Sequence, residues 1–352
     1  MSLRGAGGTL LDTLIDIVNI QSVTGDEEAL CAWIEDRFKD AYRTQRIGKS
    51  LIVGTEPDDG LFTALYGHTD TVPVQGEWKA RVEGDRLAGL GTSDMKSGVA
   101  VMIELLENEV ARGHLVCVFY DAEEGPAADN GLEGVLDAAP WLTDAELSIV
   151  LEPTNLDLEL GCNGALNADV VFKGSTSHSA RPWLGENAVT KAGEWLAEMH
   201  TREPEPFDIG GLEYKEVFSV TKASGGIASN IIPGEFVINL NHRFPPVFSI
   251  AEAEQRLREV ARGADEVTIT DRAPSGSIDL DSSAVKRLDA FVGRGRVAKQ
   301  GWTDVARLTS RGAVAVNYGP GEVPQAHQVN ESVPTENLAI VYDVLGRFLT
   351  EE

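Results

Sequence analysis

Residues 61–73 read LFTALYGHTDTVP: an apolar, strand-like run from Leu61 to Tyr66, a glycine, then His68 and Asp70 two positions apart before Val72-Pro73. Such a stretch brings a buried strand to a turn and delivers an imidazole and a carboxylate at its end. Comparable apolar runs recur at 115–120 (LVCVFY), 147–151 (LSIVL) and 313–318 (AVAVNY). A helical pattern, MKSGVAVMIELLENEVA, fills 95–111 between the first two. Strands alternating with helices predict an α/β domain with a central, largely parallel sheet flanked by helices.

Each run ends in similar chemistry. His68 and Asp70 come after the first; Asp121, Glu123 and Glu124 after the second; Glu152 after the third; and His327 after the fourth, across the loop GPGEVPQA. Open α/β sheets bind ligands outside the carboxyl ends of their strands, so these side chains should converge on one rim. Asp94, in the Gly-rich GLGTSDMKSG, can reach the same rim. Taken singly, Glu123 and Glu124 read as solvated surface, Glu152 as a strand end and His327 as a loop histidine. Unrelated surface residues, however, have no reason to succeed one strand after another. His114 and His200 read as a turn residue and a helix end. Two imidazoles and several carboxylates without thiolates suit zinc, with cobalt or manganese as substitutes. Hydrolytic centres of this kind can hold two ions bridged by a carboxylate. They also need one unligated carboxylate to carry protons, and Glu123 and Glu124 can divide those tasks.

The texture changes after Gly161. Strand-like 165–173, helical 187–200, strand-like 215–222 and 234–244, helical 250–262 and strand-like 265–270 succeed one another in the β-α-β-β-α-β order of ferredoxin-like domains. The expected organisation is a catalytic domain in two parts, 1–163 and 277–352, with an inserted α+β domain at 164–276. Near the start, Leu10–Ile20 reads as a helix. Thr24-Gly25-Asp26-Glu27 has capping-box spacing ahead of Leu30, Cys31, Ile34 and Phe38.

Bulk properties agree. A chain of 352 residues favours two domains, and 42% hydrophobic with 24% charged residues is a soluble globular composition. No run of about 18 apolar residues suggests a membrane span. The N-terminus lacks a secretory h-region, so a cytoplasmic protein is expected. Three cysteines without paired spacing make no disulfide framework. Thirty basic against 56 acidic residues leave a net charge of −26, which opposes nucleic acid and anionic membranes as partners. An anionic small-molecule ligand would need local positive charge from bound cations and a few placed arginines.

GHTDTVP, GLGTSDMKSG, DAEEG, LEP, TSHSARPWLGENA, GGIASNIIPGE with NLNHRF, and AHQVNESVP occur in that order across essentially the whole chain. Together they resemble the M20 family of metallo-amidohydrolases and peptidases. The resemblance implies a zinc-peptidase-like catalytic domain, a lid that mediates homodimerisation and two zinc ions per subunit. His68 and Glu152 would hold one ion, Glu124 and His327 the other, and Asp94 would bridge them. Asp70 would orient His68, and Glu123 would be the general base. His178 would reach across a dimer to stabilise the oxyanion, with Asn230 as a second residue contributed by the partner subunit. Arg181 and Arg243 are candidate clamps for substrate carboxylates; as neighbours on one strand, His242 and Arg243 should face opposite sides. The QSVTGDE opening, TDVARL and the closing AHQVNESVP resemble the branch that removes succinyl groups from diaminopimelate, with Thr303 in the acyl pocket; the branch that deacetylates acetylornithine is the near neighbour, separated mainly by acyl-pocket chemistry. Leu90 stands where many relatives carry arginine.

Overall fold

The computed structural model describes residues 9–57 and 60–351. The Gly-rich lead at 1–8, where the expected lack of a secretory signal falls, lies outside them. The described chain forms two compact units: residues up to 161 with 278–297 and 303 onward, and residues 162–277 with 298–302. The segment 298–302, expected with the C-terminal part of the catalytic domain, belongs to the second unit.

An eight-stranded mixed sheet organises the first unit. Its order is Thr44–Ile47, Ser50–Val53, Leu115–Tyr120, Thr63–His68, Leu147–Val150, Ala315–Asn317, Leu158–Leu160 and Arg296–Ala298. The four middle positions, from Leu115–Tyr120 to Ala315–Asn317, are mutually parallel neighbours. These are the four runs read from the sequence, so their carboxyl ends leave one edge together. Every residue of Thr63–His68 and Leu115–Tyr120 is buried, as a parallel sheet covered on both faces requires. Tyr66, Val118, Leu132, Leu136 and Leu308 share one side of that core.

The helix predicted over 95–111 runs from Ser97 to Glu107, because residues 92–96 form a tight turn in which Asp94 is extended (φ −119°, ψ 97°). Arg81–Glu83 and Arg86–Ala88 precede this turn and form a small sheet with Ser332–Pro334 from near the C-terminus. The capping-box expectation fails: Glu27 is the N-cap of Glu28–Phe38 and makes no side-chain cap. Thr24 instead donates its hydroxyl to Asp70 Oδ2 at 2.8 Å, and the buried Glu27 pairs with Lys49 at 2.8 Å.

The second unit has a five-stranded antiparallel sheet. Its order is Glu205–Ile209, Leu212–Gly225, Glu235–Phe244, Gly164–Lys173 and Glu266–Ala273. Without its first strand this is the ferredoxin-like arrangement expected from the element order. Burial alternates along Gly164–Lys173 and Glu235–Phe244, so one face supplies Leu166, Val170, Phe172, Ile238, Leu240 and Phe244 to a core shared with Trp195 and Leu257. Among the described residues, Glu205–Ile209 pairs only with Leu212–Glu216, leaving the outer edge of 217–225 beyond it.

Candidate metal centre

His68 is the last residue of its strand, and its side chain is fully buried. Tyr120, its register partner on the next strand, meets its ring edge-on at 6.2 Å. Nδ1 lies 3.1 Å from the Asp70 carbonyl oxygen and 3.4 Å from Asp70 Oδ1. Nε2 faces the other way, 3.2 Å from Asp94 Oδ1 and 4.0 Å from Glu152 Oε1. The Asp70 carboxylate also accepts from the backbone N–H groups of Glu123 and Glu124, both at 3.0 Å. One buried carboxylate therefore orients the imidazole and fixes the turn carrying both glutamates.

His327 approaches the same group of side chains. Its Nε2 is 2.9 Å from Glu124 Oε1 and 3.6 Å from Asp94 Oδ2. The two oxygens of Asp94 thus face two different imidazoles. Ligand-capable atoms within 4.8 Å of one another form the triads His68–Asp94–Glu152 and Asp94–Glu124–His327, which share Asp94. A third triad, His68–Glu123–Glu124, keeps Glu123 within the same cluster. The nitrogen and oxygen donors of these triads are of the kind that hold a metal ion.

Electrostatics make the same point. Burial drives the Glu123 carboxyl well above the ordinary carboxylate range; Glu152, Asp304 and Glu124 push it the same way, and His68 only partly opposes them. Burial would lower His68, yet hydrogen bonds to Asp70 and Asp94 hold it well above an ordinary histidine. For Asp70 burial acts upward, but His68, Thr24 and the Glu124 N–H bring it below its usual value. The hydrogen bond to Glu124 raises His327 to about 9. A buried crowd of carboxylates calls for positive charge, which protons or bound cations can supply.

Sequence reasoning overlooked several supporting residues. Thr24, whose hydroxyl holds Asp70, is one. Asp304, fully buried beside Thr303, meets Arg307 at 2.8 Å and accepts from Asn130. Thr303 itself is 2% exposed. Glu331, in the quoted AHQVNESVP, accepts from three backbone N–H groups of the Asp94 loop. Nothing in side-chain spacing signals a role exercised through backbone amides.

The remaining candidates lie in the second unit. His178 is exposed on a loop that pairs with the loop of Asn230: Ser179 donates to the Asn230 carbonyl at 3.0 Å, and His178 bridges to Ile231. Ala180 N–H donates to His178 Nδ1 at 3.1 Å, which leaves Nε2 as the donor nitrogen of the neutral ring. Arg181 is exposed on the same loop. His242 and Arg243 do face opposite sides of Glu235–Phe244. His242 is buried against Phe218 and bonded to Glu216 at 2.7 Å, whereas the half-buried Arg243 donates to Asn241 at 3.1 Å. Among the described residues, neither Arg181 nor Arg243 has a carboxylate within ion-pair distance.

Comparison with known proteins adds independent information. Residues 64–351 match the profile of Peptidase family M20/M25/M40. A Mycobacterium tuberculosis protein that carries the name succinyl-diaminopimelate desuccinylase provisionally is 37% identical over 99% of each chain. The succinyl-diaminopimelate desuccinylase of Corynebacterium glutamicum is 32% identical over 95% of this chain and 94% of its own. Acetylornithine deacetylase of Myxococcus xanthus is 28% identical, covering 88% and 85%. Among solved structures, aminopeptidase PepT of Bacillus cereus shares the fold with a TM-score of 0.77, covering 97% of both chains at 19% identity.

Proposed function

We propose that this chain, which belongs to peptidase family M20/M25/M40 and so to the metal-dependent amide hydrolases, cleaves N-succinyl-LL-2,6-diaminopimelate to succinate and LL-2,6-diaminopimelate with two zinc ions. The observation that carries the reading is Asp94, whose two carboxylate oxygens lie 3.2 and 3.6 Å from separate imidazoles. Each imidazole has its own further carboxylate, Glu152 for His68 and Glu124 for His327. The desuccinylase names of the Mycobacterium and Corynebacterium relatives support the substrate.

In this reading His68 and Glu152 would hold one ion and Glu124 and His327 the other, with Asp94 shared between them. Bound zinc supplies Lewis acidity to water and to the amide carbonyl. Glu123 takes the proton of the attacking water and returns it to the leaving amine nitrogen. Asp70, at His68 Nδ1, keeps Nε2 turned towards Asp94 and Glu152, where an ion would sit. His178 Nε2–H, from the partner subunit of a homodimer formed through the second unit, donates to the developing oxyanion, with Asn230 beside it. The uncovered edge of 217–225 supports such a dimer, since an open strand edge is a template for pairing. Arg181 and Arg243 bind substrate carboxylates, and Thr303 belongs to the acyl pocket. The buried thiols of Cys31 and Cys117 support a reducing cytoplasmic setting. No described helix is long and apolar enough to cross a membrane.

The test is hydrolysis of this compound against N-acetylornithine, with and without a chelator. Faster turnover of acetylornithine would overturn the substrate and leave the mechanism. Activity that survives complete metal removal would overturn both.

A further inference from the structure

We propose that Glu331 is a positioning residue that fixes Asp94 between the two imidazoles and ties the Asp94 and His327 loops into one piece. The inference rests on the two-cation reading of the centre and extends it to a residue that binds neither ion.

The Gly-rich loop before Asp94 turns three backbone N–H groups toward one point. Gly91 donates to Glu331 Oε2 at 2.7 Å, and Ser93 and Asp94 donate to Oε1 at 2.7 and 2.8 Å. Successive N–H groups in such a turn form a concave anion site. Gly91 makes it possible, with φ at 78° and space so tight that a Cβ would meet the Thr71 methyl at 2.7 Å. Glu331 is 3% exposed. Both of its oxygens are engaged by amides, and it belongs to none of the ligand triads. It therefore acts on the ions through Asp94.

The grip extends to both sides. The Glu331 carbonyl accepts from Gly89 N–H at 3.0 Å, and Ser332–Pro334 pairs with Arg86–Ala88 just before the Gly-rich loop. Ser93 accepts from Glu322 N–H through its hydroxyl oxygen at 2.9 Å, and Arg86 donates to the Ser332 hydroxyl at 2.9 Å. Four residues before Glu331 stands His327, half-exposed, at a positive φ of 61° and outside any strand or helix. Anchoring at Glu331 gives that loop its fixed point. One carboxylate thus sets the bridging Asp94 and limits where His327 can lie relative to it.

The experiment is a zinc titration of chelator-stripped full-length protein against a chromophoric competitor, together with the visible spectrum of the cobalt form. Glu331→Gln keeps the shape but sets an NH2 group against backbone donors. It should weaken binding of at least one ion by about 10–100-fold, as loss of such outer partners does, and alter the cobalt bands. Its kcat should fall at limiting zinc and recover as zinc is raised, with KM unchanged; a merely structural role would not respond to zinc. Glu331→Asp keeps the charge on a shorter arm and should still lose affinity measurably, by about tenfold, which tests the idea even if the glutamine variant does not fold. Wild-type affinity and spectrum in either folded variant would overturn the inference alone. A wild-type protein that takes up fewer than two ions would overturn the two-cation reading, and the inference with it.

Discussion

His68 and His178 represent two regions with opposite kinds of support. His68 is fully buried at the end of a central strand, with carboxylates facing both ring nitrogens. His178 sits on an exposed loop, and its ring is fixed by one backbone N–H from Ala180. The first region is preorganised by its own fold. The His68 side of the centre is buried in advance, so its groups are held in place without reorganising. The second offers a donor with no carboxylate within ion-pair distance among the described residues, which suits a group that acts on something brought to it. The division predicts that changes in the first region alter metal chemistry or proton transfer, while changes in the second alter turnover and substrate affinity with the metals in place.

The largest effect should come from Glu123→Gln. Losing the proton carrier should lower kcat by at least about 10²–10⁴-fold, while zinc content by atomic absorption stays near that of the parent. Loss of zinc instead would mean that Glu123 and Glu124 have exchanged roles, an exchange the His68–Glu123–Glu124 triad permits. Next is His178→Ala, expected to cost about 10²–10³ in kcat, the scale of one lost oxyanion donor. Stability and zinc content should be unchanged. Mixing this variant with Glu123→Ala subunits should restore activity through heterodimers if His178 acts across the dimer. No recovery despite proven subunit exchange would place its action within one chain.

The two regions also differ in how legible they are from sequence. His68, Glu123, Glu124, Glu152 and His327 can be read because each comes after an apolar run, and four parallel strands carry one edge's chemistry together. The ferredoxin-like order of the second unit is legible for a similar reason: period-2 burial in 164–173 and 235–244 survives as alternating side chains. Thr24 and Glu27 show the limit. Their spacing is that of a local cap, but a hydroxyl can serve a distant carboxylate equally well, and Asp70 claims it. Asp304 and Glu331 are illegible for a related reason. Their partners, Asn130 and the amides of 91–94, come from far along the chain or carry no side-chain signature.

A smaller effect concerns protons in the first region. Glu124 holds the metal-free His327 to about 9, so an incoming cation must displace that proton. Zinc affinity should therefore climb with pH by up to about tenfold per unit, levelling near 9. The sign for stability is opposite. A histidine raised in the folded state contributes stability that is fully present below its unfolded value of about 6.5 and lost as pH rises through about 9. Competition titrations at several pH values give the slope. A flat profile would show that the His327–Glu124 contact does not compete with the metal.

The smallest effect belongs to Arg243→Lys, and it separates the two regions most cleanly. Arg243 is half-buried, its pKa is lowered by burial, and its guanidinium has only Asn241 as a hydrogen-bond partner among the described residues. A half-buried cation without a carboxylate is costly to keep, which makes sense if a substrate carboxylate completes it. Lysine preserves the charge but not the planar fork, so KM should rise about tenfold, with kcat and zinc content close to the parent's. His242, one residue earlier on the opposite face, supplies the control: it is bound to Glu216 and stacked on Phe218. Its replacement by alanine should lower the melting temperature and leave KM alone. If His242→Ala raised KM as much as Arg243→Lys, the second unit would be contributing packing rather than a substrate clamp.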